Sequence, residues 1–357
     1  MSRTPPGSLF IVGFDGTSPP PSLLERMQQG RLGGVIFFSR NFSQPLAEPA
    51  HLAEAAALCV EVAAAAPPGP PPVLSIDQEG GRVQRLRAPF TEWPPMACLA
   101  GGDPSRAEQV GRAIADELCA LGLNLDYAPV LDVHTNPANP VIGDRAMGAQ
   151  PEEVILQALA FLRGLESAGV RGCGKHFPGH GDTAQDSHLV LPEVQAERGR
   201  LMSVEVAPFR AAVRAGIQML MTAHVVYPAV DGRPATLSRV WLQDILRREL
   251  GFRGVIVSDD LDMRAVAGAD IEDVVVEALL SGCDAFLLCR DEERQLRAEE
   301  ALYRAADRDA RVRDRIEESG ARLRRFRASL RPPCPNLDRL LSLPDPAHQA
   351  LARLLAG

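Results

Sequence analysis

The chain lacks a basic excess, paired cysteines and any long apolar run. Its 38 Lys and Arg are outnumbered by 46 Asp and Glu, for a formal charge of −8. A sequence-independent nucleic-acid binder shows the opposite balance, so no nucleic-acid partner is expected. The seven cysteines, Cys59, Cys98, Cys119, Cys173, Cys283, Cys289 and Cys334, form no CxxC pair, which removes support for zinc-ribbon and thioredoxin-type sites. An odd set scattered through apolar segments fits buried, reduced thiols. The apolar run from Leu9 to Phe14 is too short for a signal peptide, and Ala63 to Ala66 leads into prolines rather than across a bilayer. No GxGxxG follows the first apolar run, so a dinucleotide site has no support. The expectation is a cytoplasmic protein with no membrane partner.

What is present is an ordinary globular composition, 46% hydrophobic and 24% charged over 357 residues. Short, nearly unbroken apolar runs recur at Leu9–Val12, Val35–Phe38, Val73–Ile76, Leu123–Leu125 with Val130–Val133, Val170–Cys173, Met219–Met221, Val255–Val257 and Ala285–Cys289. Such runs suit parallel strands covered on both faces. Helical patterns lie between them. Pro151-Glu152-Glu153 reads as a helix start, Val154, Ala158, Phe161 and Leu165 keep one face, and Gly169 closes it. Val110, Ile114, Leu118 and Leu121 make a similar stripe. Eight strand–helix alternations predict an α/β fold, a single (β/α)8 TIM-type barrel over residues 1–290. A C-terminal helical extension, 291–357, is expected to pack on it. Ala63–Pro72 and Arg331–Pro335 read as proline-rich connections.

Nearly every run ends in polar groups: Asp15, Ser39-Arg40, Asp77, Asp132, Lys175-His176, His224, Asp259 and Arg290. Barrel enzymes place their chemistry at these strand ends. The densest segment, Lys175 to His188, holds three histidines, one lysine and two aspartates. It is expected to be a loop leaving the fifth strand. His176 and His180 have the spacing of helical zinc ligands, but Pro178 and Gly179 break that geometry. Asp186 and His188, two apart, can converge as a carboxylate–imidazole pair that gives and takes a proton. A buried run ending in Asp259-Asp260 sends neighbouring side chains to opposite sides, so one faces a pocket and the other packs into the rim. A carboxylate there can serve as nucleophile, base or metal ligand, or cap the next helix. Asp77 and Arg85 after the third run can bracket vicinal hydroxyls. Gly80-Gly81 either admits a ligand close to the backbone or makes a turn. Arg145 lies on a loop beyond strand four.

Together the segments KHFPGHGDTAQDSH, DQEGGRVQR, IGDRAMG and GVIVSDDLDM resemble, in order and spacing, the glycoside hydrolase family 3 β-N-acetylglucosaminidases of bacterial cell-wall recycling. The resemblance spans roughly residues 8–290. Met147 departs from the aromatic residue many members carry, which bears on the local pocket wall. The resemblance implies Asp259 as nucleophile, His188 as general acid/base and Asp186 as its orienting partner. It assigns sugar contacts to Asp77, Arg85, Arg145, Lys175 and His176. It implies no cofactor and no metal, a monomer, and a small carbohydrate substrate: a GlcNAc-containing muropeptide or a chito-oligosaccharide. An imidazole base does not repel an anionic acceptor, so a phosphorylase is one alternative, and a broader β-glycosidase of the family another. A metal-dependent hydrolase using His176, His180, Asp186 and Asp259, and a non-catalytic sugar-binding module, are the readings from other classes.

Overall fold

The computed structural model describes residues 4–184, 191–263 and 270–357. Eight parallel strands close on themselves: β1 (Phe10–Val12), β2 (Gly34–Phe37), β3 (Val73–Ile76), β4 (Leu125–Asp126), β5 (Arg171–Gly172 continued by Gly174–Phe177), β6 (Met219–Thr222), β7 (Val255–Asp260) and β8 (Ala285–Leu288). Each pairs with the next, and β8 pairs with β1 through Phe10↔Phe286, Ile11↔Leu287 and Val12↔Leu288.

The closure follows from the composition of the runs. Successive side chains point to opposite faces of a strand. Ile11, Ile36, Val73, Leu125, Met219, Met221, Val255, Val257 and Leu287 fill the barrel interior. Phe10, Val12, Val35, Phe37, Leu74, Ile76, Leu220, Ile256 and Phe286 point outward into the layer beneath the helices. Because both faces are buried, both alternating sets are apolar.

The outer ring holds α1 (Pro21–Gln28), α2 (Pro49–Ala64), α3 (Pro104–Leu121), α4 (Pro151–Ser167), α5 (Ala207–Arg214), the π-wound α6 (Val240–Glu249), α7 (Ile271–Ser281) and α8 (Glu292–Arg308). Proline opens α3 and α4, where its missing N–H costs nothing. Asp103 caps α3 by accepting from the Ser105 amide at 2.9 Å. At the start of α4, Glu153 accepts from the Ala149 amide at 3.1 Å. The expected connection at Ala63–Pro72 falls between the end of α2 and the start of β3.

Three further helices follow: α9 (Ala310–Ala328), α10 (Leu337–Leu341) and α11 (Pro346–Ala356). Leu323 and Phe326 of α9, with Leu330 beyond it, pack among the interior residues of the barrel. They close its floor. Asp284, at the head of β8, binds the same helix: it accepts from Arg322 at 3.0 Å, Arg315 at 3.3 Å and Ser319 at 3.0 Å, and pairs with Arg247 of α6. Among the described residues no helix is long and apolar enough to cross a membrane.

One expectation about the strands needs correction. The fifth strand does not end at Cys173 but continues through Phe177, so Lys175 and His176 are strand residues rather than loop residues. Backbone pairing carries it on: Gly174 is in register with Leu220, Phe177 with Thr222, and Lys175 bridges to Val130. Charged side chains are tolerated on a buried strand there because the barrel mouth supplies their partners.

Candidate active site

The C-terminal ends of the strands surround a cavity of about 430 Å³. Asp77, Arg85, Arg145, Lys175, His176 and Asp259, from four different strand-end segments, all line it. Ile36, Met221 and Leu287 lie at its base and belong to the barrel core. The cavity is therefore open at one end only.

An alternating chain of charges crosses it. Arg145 grips Glu79 with two bonds, Nε to Oε2 at 2.9 Å and Nη2 to Oε1 at 2.8 Å. Lys175 Nζ bridges Glu79 Oε1 at 2.5 Å and Asp77 Oδ1 at 2.8 Å. Arg85 then binds Asp77 Oδ2 at 3.1 Å. Burial pushes the Glu79 carboxyl up, but Arg145 and Lys175 outweigh it and hold it at about 2. Burial likewise opposes ionisation of Asp77, and Lys175 and Arg85 again prevail, holding it well below the usual carboxylate range. The Lys175 ammonium, despite burial, is held above its ordinary value by Asp77 and Glu79. Arg145, Glu79, Lys175 and Asp77 thus stay charged although largely buried, where ion pairs persist only with good geometry. Lys175 is also the sole lysine among 38 basic residues. A compact ammonium can bridge two carboxylates side by side, whereas a guanidinium fork prefers one.

Asp126, at the end of β4, lies under this chain. Its Oδ1 accepts from the Gln78 amide at 2.9 Å, and Oδ2 is buried without a partner among the described residues. Burial raises this carboxyl to about 8, so it is a neutral acid at pH 7.

Asp132 organises the fifth strand's histidines. Its carboxylate accepts from His176 Nδ1 at 2.7 Å and from the His180 amide at 2.7 Å. This fixes a proton on His176 Nδ1, aimed at the Asp132 carboxylate, and sets the orientation of the ring. Burial, and then neighbouring His176, lowers His180 to about 4, so it is neutral near pH 7. The loop beyond is anchored at its base. Asn139 donates to the His180 carbonyl at 2.8 Å, Asn136 to the Thr183 carbonyl at 3.2 Å, and Tyr227 to the Gly179 carbonyl at 2.6 Å. A Cβ at Gly181 would sit 1.7 Å from the Val133 carbonyl oxygen, so only glycine permits this approach. Asp186 and His188 lie outside the described residues.

At the end of β7 the two adjacent aspartates differ in commitment. Asp260 Oδ1 accepts from the Cys289 amide at 3.2 Å and the Asp262 amide at 3.1 Å. Burial first, then Asp262, raises its carboxyl to about 7. Asp259 accepts only from the Asp260 amide, at 2.8 Å through Oδ1, leaving Oδ2 without a hydrogen bond among the described residues. His224 holds the Asp260 carbonyl at 3.1 Å, which steadies the strand end from β6.

Two points that the sequence left open are decided by the structure. Gly80-Gly81 makes a turn, not a ligand approach: the ribbon Gln78–Gly80 with Val83–Gln84 folds against Pro95 and Met96, and a Cβ at either glycine would meet them within 2.9 Å. Met147 is buried in the outer core and does not line the cavity. Sequence reasoning missed Glu79, which sits two residues after Asp77 on the same ribbon. It also named Asp132 only as a strand end. The isolated lysine was an available signal, since it marked the cation around which both carboxylates gather.

Comparison with known proteins adds the following. The profile of the Glycosyl hydrolase family 3 N terminal domain matches residues 16–326. A β-hexosaminidase of Thiobacillus denitrificans is 44% identical over 276 residues, 75% of this chain and 74% of that protein. The β-hexosaminidase of Neisseria meningitidis serogroup C is 43% identical over 274 residues, 74% of this chain and 73% of that one. Among solved structures, a glycoside hydrolase family 3 β-N-acetylglucosaminidase from Paenibacillus superposes with a TM-score of 0.89 at 37% identity, covering 100% of this chain and 68% of the other. NagZ from Neisseria gonorrhoeae superposes with a TM-score of 0.79 at 34% identity, covering 100% and 98%.

Proposed function

Because the chain belongs to glycosyl hydrolase family 3, we propose that its barrel-mouth cavity releases terminal β-linked N-acetylglucosamine by a retaining, two-step route. The chain is a glycoside hydrolase of the β-N-acetylhexosaminidase type. Asp259 attacks the anomeric carbon while protonated His188, oriented by Asp186, protonates the leaving oxygen; the glycosidic bond breaks and a glycosyl–Asp259 ester forms. Neutral His188 then takes a proton from water, whose oxygen displaces Asp259 and releases the sugar. Asp77, Arg85, Arg145, Lys175 and His176 hold the sugar's hydroxyl and acetamide groups. The observation that carries this reading is the uncommitted Asp259 oxygen bordering the same cavity as those five side chains. A cavity closed at its base supports exo action, since only a chain end can enter.

The substrates we infer are GlcNAc-containing muropeptides of peptidoglycan recycling or chito-oligosaccharides, met in the cytoplasm by a monomer. Residues 1–290 hold the strands and catalytic residues of the barrel, and 291–357 a helical extension packed on it, whose first helix, α8, completes the outer ring. The buried Arg26–Glu299 pair at 3.2 Å and the Asp284–Arg322 pair support that packing.

Trapping with a fluorinated N-acetylglucosaminide tests the nucleophile. Mass spectrometry is expected to find the label on the peptide containing Asp259, and Asp259→Ala to leave a chromogenic β-N-acetylglucosaminide colourless. A label elsewhere, or full activity in the variant, would overturn the assignment.

A further inference from the structure

The outer side of the barrel floor carries positive charge that the hydrolytic steps do not use. The whole chain is acidic, with a formal charge of −8, yet residues 322–331 hold five arginines and no acid. Four of the five lie on α9, the helix that closes the floor. Beside this helix lies another cavity, of about 320 Å³, bounded by residues 216–218 before β6 and 251–254 before β7. Arg253, Arg322 and Arg325 line it, and no Asp or Glu does. Arg322 is committed to Asp284 and Glu318. Arg253 and Arg325 are exposed, and neither pairs with a carboxylate among the described residues. The base is apolar, formed by Ile217, Phe252 and Phe326. Helices α5 and α6 end beside this cavity, and each end carries about half a negative charge. Several of their last carbonyls are already taken: Gly216 and Ile217 donate to Val213 and Ala212 at 3.1 Å, and Leu250 and Phe252 donate to Ile245 and Leu246 at 2.9 and 3.1 Å. The helix ends therefore do not account for both guanidinium groups.

Two cationic forks above an apolar base, with no acid among them, suit an oxyanion. A guanidinium matches phosphate oxygens with paired hydrogen bonds. A phosphoryl group, at about −1.5 to −2 near neutral pH, balances two arginines where a carboxylate would balance one. The volume is at the lower end of the range for small-molecule sites, about 300–1,000 Å³. We propose that this floor pocket binds a phosphoryl group between Arg253 and Arg325, either free phosphate or the head of a small phosphomonoester. Bound there, it ties α9 to the segment that leads into β7 and stabilises the fold. The pocket lies at the opposite end of the barrel from Asp259, so the inference stands apart from the glycosidase reading.

The test follows thermal unfolding of the full chain at about pH 8, where phosphate is mainly dianionic. Inorganic phosphate, phenyl phosphate and sodium chloride are compared at equal ionic strength. The Tm in saturating phosphate is expected to exceed that in chloride by about 3 °C. Phosphate also stabilises proteins through exclusion from their surface, so the quantity read is how this shift differs between proteins. The double variant Arg253→Gln with Arg325→Gln is expected to lose most of it, and each single variant part of it. Arg85→Gln, in the catalytic cavity, is expected to keep it. A double variant that retains the full shift shows a general salt effect only, and would overturn the proposal. Loss of the shift in Arg85→Gln with retention in the floor variants would overturn it too, by placing the anion among the cations of the mouth. Should the double variant fail to fold, the two single variants carry the same test. A larger shift with phenyl phosphate than with inorganic phosphate assigns the pocket to an ester, and equal shifts assign it to the free ion.

Discussion

The two ends of the barrel use the same device to opposite effect. At the mouth, buried Glu79 is gripped by Arg145 and Lys175. At the floor, buried Asp284 is gripped by Arg247, Arg315 and Arg322. Each is a carboxylate stripped of water and repaid by several cations. The mouth network borders an open cavity, and its outer members, Asp77 and Arg85, stand beside space that a ligand can enter. The floor network faces Leu323, Phe326 and a helix that cannot leave without exposing apolar surface. What separates a binding site from a staple is thus the space beside the ions, not their type.

This contrast can be broken. Asp284→Asn should have the largest effect, a stability loss of about 3–5 kcal/mol from the arginines left without their counter-charge. Denaturant unfolding measures it. Activity per folded molecule should hold, and a loss of turnover in folded protein would erase the distinction between the ends. Glu79→Gln should do the reverse. Here kcat/KM should fall on the order of 10²-fold as Arg145 and Lys175 lose their positions. Its stability loss should be smaller than that of Asp284→Asn, because cavity water can hydrate the freed cations. Steady-state kinetics beside the same unfolding assay decides it.

The smallest effect sharpens the mouth alone. Burial raises Asp126 to about 8, against about 3.9 for an unperturbed Asp. Between those values the folded state keeps a proton that the unfolded chain has lost. Stability therefore falls as pH rises across that window and levels off above it. Asp126→Asn keeps the acceptor for the Gln78 amide and removes this slope. The variant should gain in Tm relative to wild type at pH 8.5 compared with pH 5. Parallel pH profiles for the two proteins would refute the assignment.

Much of the architecture was legible because parallel strands buried on both faces advertise themselves as short apolar runs. The reading stopped early at β5, where Lys175 and His176 interrupt the apolar run although the backbone ladder continues. A hydropathy pattern ends where polarity begins, and at a barrel mouth polarity begins before the strand ends. In the site, Asp77, Arg85, Arg145, Lys175, His176 and Asp259 could be picked out by type and place. Glu79 could not, because its significance lies in partners 66 and 96 positions away (Arg145 and Lys175). Asp284 was hidden for the same reason: its partners Arg315 and Arg322 lie 31 and 38 positions away on the C-terminal helical extension.

The lone lysine has a practical consequence. Feeding nitrogen-15 lysine would place one labelled amine in the whole polypeptide, between Asp77 and Glu79. Because those carboxylates keep it an ammonium, its resonance would not drift with ordinary changes of pH. It would serve as a single-signal reporter of whether the pocket is occupied.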